Sequence, residues 1–352
     1  MLVCVTGGTG FVGAHSVAAL VREGAAVRLL ARDPSRVEGA LRPLGVPSAA
    51  VQVVTGDVTD RARVAAALRG VDAVLHAASV YSFDTRRYPE LRRTNVSGTE
   101  LVLQAAVRAG VGRIVHVSSV AALYPAPAGE VTAQSPVGSP KEAYMASKAE
   151  AELVARRFQA EGAPVAITYP PALIGPYDPH LGDQNARLRN ELRGLMPMWP
   201  LGGFPLGDVR DTAELHARLL LEPGREHGRD PGGRYFGPGR YLTTRQYLGS
   251  VGEVTGRRLP ALFLPPAAML PVGRAVGLVQ RVWPWHIPAE YGAVYICAAA
   301  APVAKDVPTG GLSPRPLADS LGDTVRWLHT GGLLSARQAG DCARPRSAAA
   351  IR

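Results

Sequence analysis

The chain has 352 residues, 47% of them hydrophobic, with three cysteines and a formal net charge of +10. That length and apolar content allow a large buried core, in one large domain or two smaller ones. Cys4, Cys297 and Cys342 are odd in number and far apart, which speaks against a disulfide framework or a zinc site, and the scattered arginines form no basic run with interleaved aromatics of the kind a nucleic-acid partner needs.

Met1 runs directly into Leu-Val-Cys-Val-Thr, so no secretory signal is expected and the expected location is cytoplasmic. Leu2–Thr6 reads as a short apolar strand. Gly7-Gly8-Thr9-Gly10-Phe11-Val12-Gly13 follows it and opens a helix pattern to about Glu23. Gly7 permits the tight turn, Gly10 lets the backbone approach a pyrophosphate, and Gly13 allows close helix–strand packing. The N–H groups at the start of that helix, from Thr9 through Phe11 and Val12 to Gly13, are a binding place for phosphates.

Ala26–Ala31 is the second strand, and its end reads the adenosine ribose. A carboxylate there suits NAD, whereas this chain has Arg32, with Arg36 a turn later, where a 2′-phosphate would meet guanidinium groups. Asp33 keeps the NAD reading open as the second choice. Further strands are expected at Val51–Thr55, Ala73–His76, Arg113–Val117 and Val165–Tyr169, separated by helical segments at Arg61–Arg69, Thr94–Ala109 and Lys141–Glu161. The alternation predicts an α/β fold: a Rossmann-type doubly wound parallel sheet, with a smaller C-terminal substrate-binding lobe.

Within Lys141–Glu161, Tyr144 and Lys148 stand four residues apart and share one helix face. An ammonium beside a phenol favours the phenolate, giving a group able to exchange a proton with a substrate oxygen. Only Lys141, Lys148 and Lys305 among 39 basic residues are lysines, so the choice of a compact ammonium at 148 stands out from an arginine background.

These residues, taken together, resemble a known family. The glycine loop, Gly56-Asp57-Val58, His76-Ala77-Ala78, Asn95-Val96-Ser97-Gly98-Thr99, Val117-Ser118-Ser119 and Tyr144-Met145-Ala146-Ser147-Lys148 occur in the order found in extended short-chain dehydrogenases/reductases. The resemblance covers roughly residues 1–330 and is closest to the dihydroflavonol-reductase and 3β-hydroxysteroid-dehydrogenase branches. Arg32-Asp33-Pro34 resembles the NADP-reading turn of the former, and Pro314-Arg315-Pro316-Leu317 leading to Thr324-Val325-Arg326-Trp327-Leu328 resembles a last helix of reductase-like members.

The resemblance implies a catalytic set of Ser119, Tyr144 and Lys148. Tyr144 exchanges the proton, Lys148 lowers its pKa and holds the nicotinamide ribose, and Ser119, 25 residues before Tyr144, binds the substrate oxygen in preference to Ser118. It also implies that Asp57 and Val58 flank the adenine, that Ala77 and Ala78 line the cofactor groove, and that Asn95 braces the active-site helix. Tyr169, Pro170 and Ala172 are expected beside the nicotinamide. Substrate contacts are assigned to Ser79, Tyr81, Ser119 and Tyr144, and a homodimer is expected by analogy.

Sugar-nucleotide dehydratases of the family follow the catalytic hydroxyl with an acid, whereas Ser119 precedes Val120-Ala121-Ala122. The loop Val80-Tyr81-Ser82-Phe83 and Met196-Pro197-Met198-Trp199-Pro200 suit an apolar carbonyl or alcohol, unless both are simply core. The expected activity is therefore an NADP-dependent carbonyl/secondary-alcohol oxidoreductase. The alternatives are a nucleotide-sugar epimerase with tightly held NAD, or a non-catalytic nucleotide sensor.

The second half is less legible. The cofactor domain is expected over residues 1–172 with a returning segment at about 204–222, the substrate lobe mainly over 173–330, and a disordered tail over 335–352. Leu259 to Gly273 is broken by Pro260, Pro265, Pro266 and Pro271, so it cannot form a membrane-spanning helix and leaves only peripheral contact open. Ala261–Pro302 is the candidate pocket wall, with His286 either touching substrate or serving as a structural histidine.

Overall fold

The computed structural model describes residues 1–82, 87–222, 233–269, 271 and 291–344. The six expected strands form where the apolar runs place them: β1 (Leu2–Thr6), β2 (Ala26–Ala31), β3 (Val51–Thr55), β4 (Ala73–His76), β5 (Arg113–Val117) and β6 (Val165–Tyr169). After them come β7 (Ala172–Ile174), β8 (Met198–Pro200), β9 (Gly203–Asp208), β10 (Arg234–Phe236), β11 (Gly239–Thr243) and β12 (Leu262–Leu264). The main sheet is parallel, in the order β10-β6-β5-β4-β1-β2-β3. Thr6 lies opposite both Leu30 and His76, and Val117 opposite Thr168, so the strands' C-terminal ends share one edge. The order reverses between β1 and β4, which opens the ligand crevice of a doubly wound sheet at that edge.

The α-helices among the described residues include α1 (Phe11–Arg22), α2 (Ser35–Leu41), α3 (Arg61–Ala67), α4 (Tyr88–Leu91), α5 (Gly98–Arg108), α6 (Ala143–Ala160), α7 (Asp183–Leu192), α8 (Val209–Leu221), α9 (Thr244–Thr255), α10 (Tyr291–Ala299), α11 (Leu317–Thr330) and α12 (Ala336–Ala339). Alternation along the strands divides the interior between the sheet's two faces. Val3, Val5 and Leu29 meet Val17 and Leu20 of α1 and Leu215 and Leu219 of α8. Cys4, Leu30 and Val74 meet Val102 and Leu103 of α5 and Met145 and Phe158 of α6. His216 of α8 ties the first layer together, its ring nitrogens at 2.8 Å from Ser16 Oγ and 3.1 Å from Thr168 Oγ1.

A third core fills the smaller lobe, where Trp199, Phe204, Tyr247, Val251, Leu321 and Val325 pack among the sheets β11-β9-β7 and β12-β8 and helices α7, α9 and α11. Two expectations change here. β10 lies within the span expected to be lobe, yet it pairs with β6 as the seventh strand of the main sheet. The tail expected to be disordered from 335 is folded as far as 344. Ser335 and Gln338 form a capping box, and Ala339 and Cys342 are buried in the third core. Arg257 also donates to the carbonyls of Gln338 and Leu192. Arg344-Pro345-Arg346-Ser347 and the alanine run point to disorder, but as far as residue 344 a capped turn with two small apolar anchors docks instead. Residues 345–352, His286 and, within the 261–302 wall, residues 270 and 272–290 lie outside the described residues.

Candidate active site

The glycine loop is shaped by backbone contacts. Gly7 adopts φ +74°, and a Cβ there would stand 2.6 Å from the Ala78 nitrogen. A Cβ on Gly13 would overlap the Gly7 carbonyl, while one on Gly10 would meet only that carbonyl oxygen, at 3.3 Å. Two glycines are therefore required by the protein's own packing, and Gly10 leaves room for an approaching group. No side chain caps the first turn of α1, so its leading N–H groups are available to an anion. Thr9, Phe11 and Val12 are half-buried along this turn. The Ala77 and Ala78 amides donate to the Thr6 carbonyl and to Thr6 Oγ1, which holds β4's exit against the loop. These features fit a dinucleotide's pyrophosphate.

At the end of β2, Arg32 and Arg36 are exposed. Asp33 is exposed too, but its carboxylate is engaged: Oδ1 accepts from the Ser35 amide (3.0 Å) and hydroxyl (2.6 Å), and Oδ2 accepts from Arg36 Nε (3.2 Å). The Ser35 bonds foremost, then Arg36, hold its carboxyl below the usual carboxylate range. Asp57 Oδ1 is similarly engaged by Thr59, and Val58 is buried against Gly98, where a Cβ would press on it at 2.9 Å.

Two of the catalytic candidates, Ser119 and Lys148, meet at the end of β5, and Tyr144 shares α6 with Lys148. Glu142 caps α6 by accepting the Tyr144 and Met145 amides at 3.0 and 2.9 Å. Tyr144 thus lies in the first turn and Lys148 one turn on. Lys148 is 4% exposed, and its Nζ donates to the Val117 carbonyl at 3.0 Å. Ser119 leaves β5 and caps the 3-10 turn Val120–Leu123, its Oγ accepting the Ala121 amide at 3.2 Å. That turn packs on α6. Ser118 is buried, and among the described residues its Oγ has no hydrogen-bond partner.

Asn95, in a π-helical turn at Arg92–Ser97, braces this arrangement. Its Nδ2 donates to Ser147 Oγ of α6 and to the Val80 carbonyl, each at 3.0 Å, while Oδ1 accepts from the Val80 amide and from Ser79 Oγ. Ser79 is thereby tied to Asn95.

Electrostatics differ from the sequence expectation. Burial lowers Lys148 to about 8. The Tyr144 phenol is raised above its ordinary value, by burial first, then by Glu142 and Asp183. With the ammonium directed at Val117, the surroundings keep the phenol protonated. Beneath Lys148, His76 bridges Thr6 and Thr99 and stacks on His116 with ring centroids 5.5 Å apart.

Tyr169 also differs. Its phenol donates to Glu152 Oε1 at 2.6 Å and its ring packs on Phe236, so the side chain belongs to the core. The neighbouring Pro170 carbonyl accepts the Val120 amide at 3.1 Å, and Ala172 is half-buried in β7.

Opposite Tyr144, Tyr81 sets its ring edge-on with centroids 4.5 Å apart, and its hydroxyl donates to Asp183 Oδ2 at 3.2 Å. Arg187 donates to the same oxygen at 3.1 Å. Asp183 and Arg187 did not emerge from the sequence. Their i,i+4 spacing is visible there, but nothing in it brings α7 to Tyr144.

A parallel sheet with an anion-ready glycine loop, facing a helix that carries Tyr144 and Lys148, defines a dinucleotide-dependent enzyme. The model of the NAD dependent epimerase/dehydratase family matches residues 3–230, more than half of the chain. The chain belongs to that family, as an NAD(P)-dependent enzyme of the extended short-chain dehydrogenase/reductase type. It is 29% identical over 340 residues to sterol demethylase protein B of Methylococcus capsulatus, covering 95% of this chain and 100% of that one. It is 28% identical to the 4-hydroxy-2-methyl-3-oxo-4-farnesyl-3,4-dihydroquinoline-1-oxide ketoreductase of Stigmatella aurantiaca, covering 96% of each. Among solved structures, the dTDP-glucose 4,6-dehydratase DesIV of Streptomyces venezuelae, with NAD bound, superposes with a TM-score of 0.69 at 26% identity, over 96% of this chain and 100% of that one.

Proposed function

We propose that this protein is an NADP-dependent oxidoreductase that interconverts a carbonyl and a secondary alcohol on a largely apolar small molecule. The observation that supports this is that Ser119 and Lys148 meet at the end of β5, with Tyr144 one turn before Lys148 on α6 and held protonated by burial. A protonated phenol is the form that donates to a carbonyl oxygen as it gains negative charge. Ser119 Oγ stabilises that charge by donating a hydrogen bond. Lys148 holds the nicotinamide ribose. The bound nicotinamide supplies or takes the hydride.

The choice of NADP rests on Arg32 being exposed where the ribose would lie, while both carboxylate oxygens of the neighbouring, also exposed Asp33 are engaged by Ser35 and Arg36. The apolar substrate rests on the Tyr81–Tyr144 ring contact and on Val120-Ala121-Ala122 standing where a dehydratase carries an acid. The sterol and farnesyl named for the two relatives are of the same apolar character. A homodimer through α5 and α6 is part of this reading, supported by the exposure of Val107 and Leu153 on these adjoining helices.

The test is NADPH absorbance decay across a panel of ketones and sugar nucleotides. Tyr144→Phe is expected to lower turnover by about 10²- to 10⁴-fold while cofactor still binds. Near-normal turnover in that variant would sink the assignment, and sugar-nucleotide interconversion without net NADPH consumption would favour an epimerase.

A further inference from the structure

The inner face of α6 carries an ionisable group at every turn. Tyr144, Lys148, Glu152 and Arg156 stand four residues apart, so a phenol, an ammonium, a carboxylate and a guanidinium follow one another along one stripe. The Glu152 side chain has no exposed surface, and that of Arg156 keeps 16%. Glu152 Oε1 accepts from the Tyr169 hydroxyl at 2.6 Å and from Arg156 Nε at 2.7 Å. Oε2 is buried and, among the described residues, has no hydrogen-bond partner. A closed-in carboxylate with one oxygen unsatisfied costs stability, so packing alone gives no reason for it.

Lys148 has the complementary need. Its ammonium is buried and carries three donors, of which one reaches the Val117 carbonyl. The other groups packed around it offer no negative charge. His76 of β4 and His116 of β5 are held neutral by burial first, and Tyr144 is kept protonated by burial first. Tyr169 of β6 spends its hydroxyl on Glu152, and Glu142 is turned to the Tyr144 and Met145 amides. The charges that other elements bring to α6, Arg92 on Glu150 and Glu100 on Arg157, lie on its outer side. Glu152 is therefore the carboxylate one turn from the ammonium. Burial lowers Lys148 to about 8, and the charge of Glu152 opposes that shift.

We propose that Glu152 is a positioning residue for Lys148: its unpaired Oε2 supplies the negative potential that keeps the buried ammonium charged. Tyr169 and Arg156 fix the carboxylate through Oε1. On the oxidoreductase reading above, the charged form of Lys148 is the one that holds the nicotinamide ribose, so Glu152 extends that reading toward alkaline pH. The charge assignment itself does not depend on turnover.

The lysine content makes the test direct. Lys141, Lys148 and Lys305 are the only lysines in the chain, so protein isotope-labelled at lysine Cε gives three NMR signals, and Lys148→Arg identifies the relevant one. Glu152→Gln keeps the size of the side chain and removes its charge. The Lys148 midpoint is expected to fall by about 1 pH unit or more, the range for losing a neighbouring opposite charge. The Lys141 and Lys305 signals are expected to titrate as in the wild type. Glu152→Asp retains the charge and is expected to keep the midpoint closer to the wild type than to Glu152→Gln. Should Glu152→Gln not fold, Glu152→Met combined with Arg156→Met, an apolar replacement that buried ion pairs often tolerate, carries the same expected fall. An unchanged or higher midpoint in Glu152→Gln or in the double variant would overturn the assignment, as would a midpoint in Glu152→Asp as low as in Glu152→Gln. NADPH decay across the ketone panel reports separately on the oxidoreductase reading.

Discussion

The groove over Gly7–Gly13 and the wall around Asp183 face the same crevice but are built from different materials. In the groove, backbone meets backbone: Gly7 against Ala77 and Ala78, Gly13 against the Gly7 carbonyl, and Thr6 against the Ala77 and Ala78 amides. In the wall, side chains far apart in the chain meet at their tips, as Tyr81 does with Asp183 and Asn95 with Ser147. A groove made of backbone presents the same N–H groups to any dinucleotide. A wall made of side-chain tips can be changed residue by residue while the sheet beneath it stays as it is.

The largest expected effect falls on the groove. Gly13→Ala places a Cβ onto the Gly7 carbonyl, and neither partner can rotate away. It is expected to abolish measurable cofactor binding and to lower stability by about 1–3 kcal/mol, read by calorimetry and urea unfolding. Wild-type cofactor affinity in Gly13→Ala would break the contrast between backbone and side-chain construction.

A second test addresses what lies beneath both. His15, His76 and His216 are buried and pushed down from 6.5 to about 4, 3 and 3, with burial the first cause in each. The folded state keeps them neutral while the unfolded chain takes up protons below 6.5. Their contribution is therefore fully present above pH 6.5 and is lost as pH falls toward 4 and 3. Each is expected to remove about 1.4 kcal/mol per pH unit within that window. Urea midpoints at pH 7 and pH 5 measure it, and a midpoint that does not fall would contradict the burial of these rings.

The smallest expected effect is at the groove's rim, where side chains take over from backbone. Arg32→Asp is expected to lower the NADP/NAD ratio of kcat/KM by roughly 10- to 100-fold, the range of a charge-assisted hydrogen bond. An unchanged ratio would remove Arg32 from the reading of the phosphate.

How far each region can be read from sequence follows from the same contrast. Leu2–Thr6 with its glycine loop, Ala26–Ala31 and Arg113–Val117 are local patterns, and the strands form at those boundaries. The helix expected from Thr94 begins as a π-turn, which sets Asn95 between Val80 and Ser147, partners 15 and 52 residues away. The folded part of the tail from 335 is not legible locally, because its two buried anchors, Ala339 and Cys342, are fixed by contacts with Leu328, Leu334 and α9. The tertiary structure also revises the acid/base pair. Lys148 stands on Tyr144's helix, yet its ammonium points at Val117, and the charges acting on the phenol come from Glu142 and Asp183.

The sequence by itself determined the parallel sheet, the glycine loop after β1 and the placing of Tyr144 and Lys148 on one helix face, because these depend on strand and helix periodicity and on residues spaced within one motif; Ser119 came from the family resemblance. The tertiary structure alone decided that β10 completes the sheet, that Asp33 is engaged by Ser35 and Arg36, and that Asp183 and Arg187 meet the Tyr81 hydroxyl, whose ring packs on Tyr144. Those outcomes depend on which side-chain tips meet after separate elements pack, and neither periodicity nor local spacing carries that information.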